Sequence, residues 1–307
     1  MLDIYEMQIF LTAAETGSFS EAGRRLQMSQ PAVSMQIRSL EKRVGVKLFQ
    51  RSGRHIELSE AGAVLLPLAR ELVNLSVSAE ETMASLKGSV VGLLKLACST
   101  SVGKYLLPQL IAGFIDEFPE VQVACDVVSR GSALEALTNG TTQLAITSLR
   151  EPSRELEYRL FTTDPVVLVV PPDHAWAGLD SISVDELCYG RFIVRELTSG
   201  TQQAVIQALA NHDLSLSSLP KVMTLGNSEA IVMAVAEGIG VAFVSRRVMK
   251  EFITSGRVIP VRVEGLTIHQ QLYMVRHAHR AATGPQAAFW EYVYRPENSH
   301  ILEQGWD

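Results

Sequence analysis

Residues 28–58 read MSQPAVSMQIRSLEKRVGVKLFQRSGRHIEL, and this stretch decides the N-terminal fold. Ser29 is a good helix N-cap, and Pro31 falls in the first turn, where a missing N–H costs nothing. Val33, Ile37, Leu40 and Val44 recur at helical spacing and mark the core face. The opposite face shows Gln30, Ser34, Met35, Arg38 and Lys42. After Gly45, the segment KLFQRSGRHIEL alternates around Ser52-Gly53, a two-residue turn signal, so a basic hairpin follows the helix.

Upstream, Ile4, Met7, Ile9, Phe10 and Leu11 fit a first helix that ends at Gly17. Ser18 opens a second, with Glu21 placed to complete a capping box. Gln27 and Met28 make the turn into the third. Two helices joined by a tight turn, the second bearing short polar residues at its amino end, form a major-groove reader, and the hairpin is its wing. Gln bonds adenine bidentately, Arg bonds guanine, and Ser serves a base edge or a phosphate. Arg51 and Arg54 of the wing are placed for phosphates or a narrow minor groove.

The charge follows the same division. Between Arg24 and Arg54 stand eight basic residues against one acid, Glu41, in a chain of formal charge −6. A short basic module on an acidic body suits a polyanion-binding head. The 307 residues, 47% apolar and 20% charged, allow two or three globular domains. Three scattered cysteines give neither a disulfide framework nor a metal-ligand interval. No uninterrupted apolar run reaches the roughly 18 residues of a membrane span; the longest, Ile231 to Val244, is broken by Glu237 and two glycines. The N-terminus carries acids where a signal peptide needs basic residues. A cytoplasmic location with no membrane partner is expected.

The run FLTAAETGSFSEAGRRLQMSQPAVSMQIRSLEKRVGVKLFQRSGRHIELSEAG, residues 10–62, resembles the DNA-binding domain of the LysR-type transcriptional regulators. The resemblance implies double-stranded promoter DNA as a partner, base-facing roles for Gln30, Pro31, Ser34 and Arg38, and a minor-groove role for Arg54. Met35 departs from the family pattern, where a polar or basic residue is frequent; a methionine suits a thymine methyl.

Ser59, with Glu60 in the next turn, caps a long helix without a strong stop before Leu86 and Gly88. Pro67 predicts a local kink. Leu65, Leu68, Leu72, Leu75, Ala79, Met83 and Leu86 step by threes and fours, close to a heptad seam with polar flanks. Such a seam pairs two copies of the chain, and a dimer reads two half-sites. In the resembling family these helices pair and full-length members are commonly tetramers, so a homodimer or homotetramer is expected, with RNA polymerase as a further partner.

From Gly92, short strands alternate with helices: strands at 93–97, 121–128, 143–147, 166–170, 191–194, 221–225, 241–244 and 272–275, and helices at 102–118, 132–138, 184–187, 201–210, 228–237 and 285–294. This pattern predicts mostly parallel sheets in two α/β lobes, with crossings near 163 and 266. The domain reading is therefore a winged helix-turn-helix at 1–58, a linker helix at 59–88, and an effector-binding body at 89–307. In that body lobe I takes 89–163 and 267–307, and lobe II takes 164–266. The fold class is α/β, the body resembling periplasmic binding proteins.

Ligands in such sheets sit beyond the carboxyl ends of strands, between lobes. Ser99-Thr100-Ser101, Ser129-Arg130-Gly131, Thr147-Ser148, Ser199-Gly200-Thr201 and Asn227-Ser228 stand at strand ends. Hydroxyls and helix N-termini suit a small anion, although each residue alone reads equally as a helix cap. Arg195 to Thr201 (RELTSGT) and Leu225 to Ile231 (LGNSEAI) resemble motifs of the Calvin-cycle and sulfite-responsive branch, and the 99–101 triplet with Thr147 is similar to the anion site of the cysteine-regulon activators. Leu197-Thr198 stand where that pattern has Pro and Gly. The resemblance implies effector roles for Ser99, Thr100, Ser101, Thr147, Ser199, Gly200, Thr201 and Asn227, with a sulfur oxyanion or phosphorylated metabolite as ligand and no cofactor.

Two other classes fit parts of the chain. The body alone suits a transporter's solute-binding protein, without the basic head. Gly226-Asn-Ser228-Glu-Ala230 imitates a nucleophile elbow but lacks its second glycine, and Glu251 and His269 carry no mark of a triad. His277-x-His279 offers two metal ligands and no third. Gly238-Ile-Gly240 leads into a strand, so it is no dinucleotide fingerprint. No catalytic and no metal residue is expected.

Overall fold

The computed structural model describes residues 2–52, 55–85 and 89–303. The head opens with α1 (Ile4–Thr16), α2 (Phe19–Arg25) and α3 (Gln30–Val44). Gly17 and Gly45 end α1 and α3 in the left-handed conformation that glycine adopts without strain. Ser18 and Ser29 accept hydrogen bonds from the N–H groups of Glu21 and Ala32. Only the serine half of the expected capping box forms, because the Glu21 carboxylate turns to Arg24 and Arg25 instead.

Gly23 is needed for contact: a Cβ there would lie 2.7 Å from the Met28 carbonyl oxygen, across the turn between α2 and α3. The hairpin β1 (Phe49–Ser52) and β2 (His55–Leu58) pairs Phe49 with Leu58 and Arg51 with Ile56. Met7, Phe10, Val33, Ile37, Leu40 and Leu48 form the head's core. Each such side chain contributes about 1.5–3 kcal/mol by burial.

Helix α4 (Glu60–Ser85) runs through Pro67. Ser59 caps it, accepting from the Gly62 N–H at 3.0 Å, while its own hydroxyl donates to the Lys47 carbonyl at 2.6 Å and fastens the wing to the helix. The end expected at Leu86 and Gly88 lies outside the described residues. By length and composition, Glu60–Ala84 is long and apolar enough to cross a membrane, although no unbroken apolar run reaches that length. Its apolar residues have two other destinations. Leu65, Leu66, Ala69 and Val73 pack on the head's core, while Leu68, Leu72, Leu75 and Met83 of the expected seam stay exposed.

The body follows as β3 (Gly92–Cys98), α5 (Thr100–Tyr105), α6 (Leu107–Glu117), β4 (Val121–Val127), α7 (Arg130–Thr138), β5 (Leu144–Thr147) and β6 (Leu156–Val170). Then come β7 (Phe192–Arg195), α8 (Gly200–Ala210), β8 (Lys221–Leu225), α9 (Ser228–Ala236), β9 (Ala242–Ser245), α10 (Arg246–Thr254), β10 (Ile259–Val261), β11 (Ile268–His277), α11 (Gly284–Tyr292) and α12 (Ser299–Glu303). The helix expected over 102–118 breaks at buried Leu106, with Pro108 in the first turn of its second half. The segment expected as a helix at 184–187 is a 3-10 turn, Asp185–Tyr189.

The sheets are mixed rather than mostly parallel. A seven-stranded sheet runs β10-β6-β11-β5-β3-β4, with β9 also on β6. β3 pairs in parallel with β4 and β5, and β7 with β8, but every pairing of β6 and β11 is antiparallel. The expected strand at 166–170 is only the end of β6, whose polar first half (Glu157, Arg159, Thr162, Asp164) conceals the strand pattern. Antiparallel β6 and β11 pass through both lobes, pairing from Val166–Ile268 to Leu156–His277. Leu94, Leu96, Leu110, Phe114 and Phe289 fill one lobe; Leu168, Phe192, Leu209 and Phe243 fill the other.

Candidate DNA interface and effector cleft

On α3, Gln30, Pro31, Met35 and Arg38 are exposed and Ser34 is half-buried. Met35, 64% exposed in mid-helix, covers no core. Between α3 and the hairpin lies a cleft of about 460 Å³ whose lining includes Gln30, Ser34, Arg38 and Arg51. Sequence reasoning assigned no contact to Ser20, Lys47, Gln50 or His55, which share this wall; Ser20 stands on α2, and the other three carry no spacing pattern that marks them. Arg54 lies outside the described residues.

Glu41, the only acid of the basic segment, is turned inward. Its carboxylate accepts from Lys47 Nζ at 2.6 Å and from the Leu48 and Phe49 N–H groups at 3.0 and 3.5 Å. Burial pushes its pKa up, but these donors outweigh burial and hold it below the ordinary carboxylate range. The carboxylate thus fixes the wing to α3 and adds no exposed negative charge to the surface. Among the described residues neither Arg38 nor Arg51 forms an ion pair, so both cations are free for phosphates or bases.

The second site is a cleft of about 310 Å³ between the lobes. Ser99, Thr100, Ser101, Ser129, Ser199, Gly200, Thr201 and Asn227 all line it. The bland reading of these residues also holds in part. Ser129 accepts from the Ser132 N–H, Ser199 from Gln202, and Asn227 from Glu229 and Ala230, so three of them cap α7, α8 and α9. Those three helices therefore direct their positive ends at one space. Ser99 differs: it makes no capping bond, and its buried hydroxyl oxygen has no partner.

Thr147 does not face the cleft. It is fully buried; its hydroxyl donates to the Arg130 carbonyl at 3.2 Å and accepts from the Leu149 N–H at 3.1 Å. Side chains alternate along a strand, and Ser148 takes the cleft position instead. Arg130 and Arg195, which the sequence reading named only within a strand-end triplet and a motif, also line the cleft, as does Gln270, which it missed. Arg195 holds the Glu196 carboxylate at 2.9 and 2.7 Å and donates to Ser228 Oγ at 2.5 Å. Ser228 is thus an arginine acceptor at the start of α9. Buried Gln270 accepts from Thr201 at 2.9 Å. Gly200 is required: a Cβ there would lie 1.9 Å from Ser148 Oγ and 2.4 Å from Gln270 Nε2.

Across the lobes, Glu229 on α9 accepts from Lys104 Nζ and Tyr105 Oη of lobe I, each at 2.6 Å. His277 and His279 stand with ring centres 6.3 Å apart, and among the described residues no three His, Cys, Asp or Glu side chains gather as a metal site.

Comparison with known proteins finds two matching families along the chain. Residues 4–63 match the family described as bacterial regulatory helix-turn-helix protein, lysR family, and residues 87–295 match the LysR substrate binding domain. The RuBisCO operon transcriptional regulator of Allochromatium vinosum is 30% identical over 292 residues, 95% of each chain. The structure of full-length CbnR complexed with its target DNA superposes with a TM-score of 0.66 at 19% identity, covering 95% of this chain and 99% of that one. The regulatory domain of CcmR from Synechocystis PCC6803, solved in complex with 2-PG, gives a TM-score of 0.61 at 24% identity over 69% of this chain and 98% of that one.

Proposed function

The chain belongs to the LysR family of transcriptional regulators, and from that premise we propose that its interlobe cleft senses a small anion whose binding changes how a pair of heads sits on promoter DNA. The observation that carries the ligand class is convergence. Three helix N-termini, the unpartnered Ser99 hydroxyl and Arg130 border one cleft of about 310 Å³. A sulfur oxyanion or a phosphorylated metabolite matches that donor set. The CcmR domain's 2-PG complex lends the class support from a relative of the same fold.

In this reading residues 1–58 are the DNA head, 59–88 the dimerising linker, and 89–307 the sensor. Gln30, Pro31, Ser34, Met35 and Arg38 meet base edges, and Arg51 and Arg54 meet the backbone or minor groove. The chain acts in the cytoplasm as a homodimer or homotetramer that engages RNA polymerase, and it catalyses no reaction. The exposed Leu68, Leu72, Leu75 and Met83 support pairing of α4 with a second copy. Occupancy shifts the balance between two lobe arrangements, which the heads read as a change in spacing.

The test is a thermal-shift screen of the full chain against sulfate, sulfite, inorganic phosphate, 2-PG, phosphorylated sugars, phosphoenolpyruvate and small carboxylates. A ligand at 100 times its Kd adds about 2.7 kcal/mol. Stabilisation by an anion that Ser99→Ala weakens supports the cleft; an anion response indifferent to that change, or no response across the panel, refutes it.

A further inference from the structure

The grip of α4 on the far end of α7 is not required by either recognition site. Arg70 Nη1 donates to the Asn139 carbonyl at 3.1 Å, and Asn74 Nδ2 to the Gly140 carbonyl at 3.0 Å. Arg280, beyond β11, donates to the Leu137 and Thr138 carbonyls at 2.8 and 2.7 Å. Four consecutive carbonyls at the C-terminal end of α7 are therefore held by three side chains. Such carbonyls lack full partners within a helix, and they carry the negative end of its dipole, where two guanidinium groups are favourable.

The same Arg70 side chain, only 11% exposed, also sets its Nη2 3.6 Å from Glu15 Oε1 on α1 of the DNA head. One residue thus touches the head and the end of a sensor helix. At its other end, α7 borders the effector cleft through Ser129 and Arg130, and Thr147 holds the Arg130 carbonyl in place. Ala133, Leu134 and Leu137 seat the helix against Ala97, Ala145 and Val275. Its nine residues span about 13 Å. A packed helix of that length moves as a unit.

We propose that α7 is the link between the cleft and the DNA head, and that Arg70 and Asn74 are positioning residues that pass a displacement of its Ser129–Arg130 end to α4 and α1. This rests on the cleft being the effector site. Ligand at the amino end of α7 pulls on that end through the Ser129 and Arg130 groups. The carboxyl end can follow only by carrying Arg280 with it and by shifting α4 or breaking the bonds to Arg70 and Asn74. Coupling of this kind is reciprocal, so duplex bound to the heads must be felt at Ser129–Arg130 even with the cleft empty.

That reciprocity gives a test on the full chain that needs no effector. A duplex is selected from random-sequence DNA by binding to the protein, and amide hydrogen exchange is followed over residues 129–134 with and without it. In the wild type the duplex changes exchange there at least threefold. In the Arg70→Ala, Asn74→Ala double variant the change disappears while the variant still binds the duplex, and Arg70→Lys, which keeps a cation for Glu15 and a donor for Asn139, restores it. A wild type whose 129–134 exchange ignores the duplex, or a double variant that responds as the wild type does, overturns the link. Calorimetry with sulfate as the probe reads the cleft separately: sulfate binding weakened roughly fivefold in Ser99→Ala upholds the cleft whatever the exchange shows, and sulfate binding unchanged in that variant counts against the cleft and not against the duplex response.

Discussion

Every side chain that lines the head's cleft lies between Gly17 and Ile56, whereas the body's cleft draws on residues from Ser99 to Gln270. The head builds its surface from α3, the start of α2 and one hairpin, locked by Glu41 and Ser59, so it is formed before DNA arrives. The body assembles its cleft from the ends of strands in two lobes that, among the described residues, share β6 and β11 as continuous strands. Its geometry can therefore change with lobe closure, and Glu229, shared by Lys104 and Tyr105, is a direct bond across that closure. A rigid reader joined to an adjustable sensor is what a ligand-dependent regulator requires.

The contrast is broken most severely at the join. Leu72 and Leu75 are exposed on α4, 38% and 56% respectively. Changing both to Asp places four like charges in the seam of a dimer. Sedimentation should show monomers, and because two tethered heads bind with the avidity of a bivalent ligand, operator affinity should fall by about a hundredfold or more. A variant that sediments like the wild type would show that α4 pairs along another face.

Each region buries a carboxylate beside a basic residue, Glu41 in the head and Asp164 in the body, and these two titrate in opposite directions. Glu41 is satisfied by three donors. Asp164, 1% exposed on β6, has no hydrogen-bond partner on either oxygen, and Arg247 Nε stands 3.4 Å away. Burial pushes the Asp164 pKa up to about 6, against the weaker pull of Ser245 and Arg247. A raised folded-state pKa gives stability that is complete below the unfolded value and lost as pH rises through the folded one. Relative to Asp164→Asn, the wild type should therefore lose about 2 kcal/mol between pH 4 and pH 7, at about 1.36 kcal/mol for each unit by which folding raises the pKa. The lowered pKa of Glu41 acts the other way: its contribution is present above the ordinary carboxylate range and fades as pH falls through the folded value. Urea unfolding of the full chain at several pH values checks both, and a wild-type curve parallel to that of Asp164→Asn contradicts the first.

Within the head, base-reading and phosphate-holding residues should separate. Gln30→Ala and Arg38→Ala should each weaken specific binding by about 1–3 kcal/mol and relax preference at one base pair. Arg51→Ala should weaken all sequences alike and lower the salt slope by about one. Competition binding across salt concentrations distinguishes the two. Equal losses on specific and random duplex for Arg38→Ala would move that residue to the backbone class.

The same contrast explains what could be read from the chain in advance. The head's features are local: Ser18, Ser29, Gly17 and Gly45 cap or end helices within a few residues of the periodicity they bound. The one local failure, the Glu21 capping bond, has a local cause, the competing Arg24 and Arg25. In the body, a hydroxyl at a strand-to-helix junction was legible at Ser99, Ser129 and Ser199. Which of Thr147 and Ser148 faces the cleft was not, because it depends on which side of β5 carries α7. Gln270 lies inside a strand, with no junction to mark it, and reaches Thr201 only through pairing 69 residues away in the chain. The mixed sheet stayed hidden for the same reason: the polar first half of β6 becomes a strand only when β11 returns beside it.

The smallest expected effect separates two functions that serine performs in the same cleft. Ser129 and Ser199 cap helices, so Ser129→Ala or Ser199→Ala should cost about 1 kcal/mol of stability as an N–H loses its acceptor. Ser99 holds no cap and its buried hydroxyl has no partner, so Ser99→Ala removes a desolvated polar group and should leave the melting temperature unchanged or slightly higher. If that hydroxyl is kept for the anion, its loss should weaken binding by about 1 kcal/mol, roughly fivefold, measured by calorimetry with whichever anion stabilises the wild type. A Ser99→Ala protein that is less stable but binds the anion normally would reverse the assignment, make Ser99 one more structural serine and count against the cleft as the anion's site.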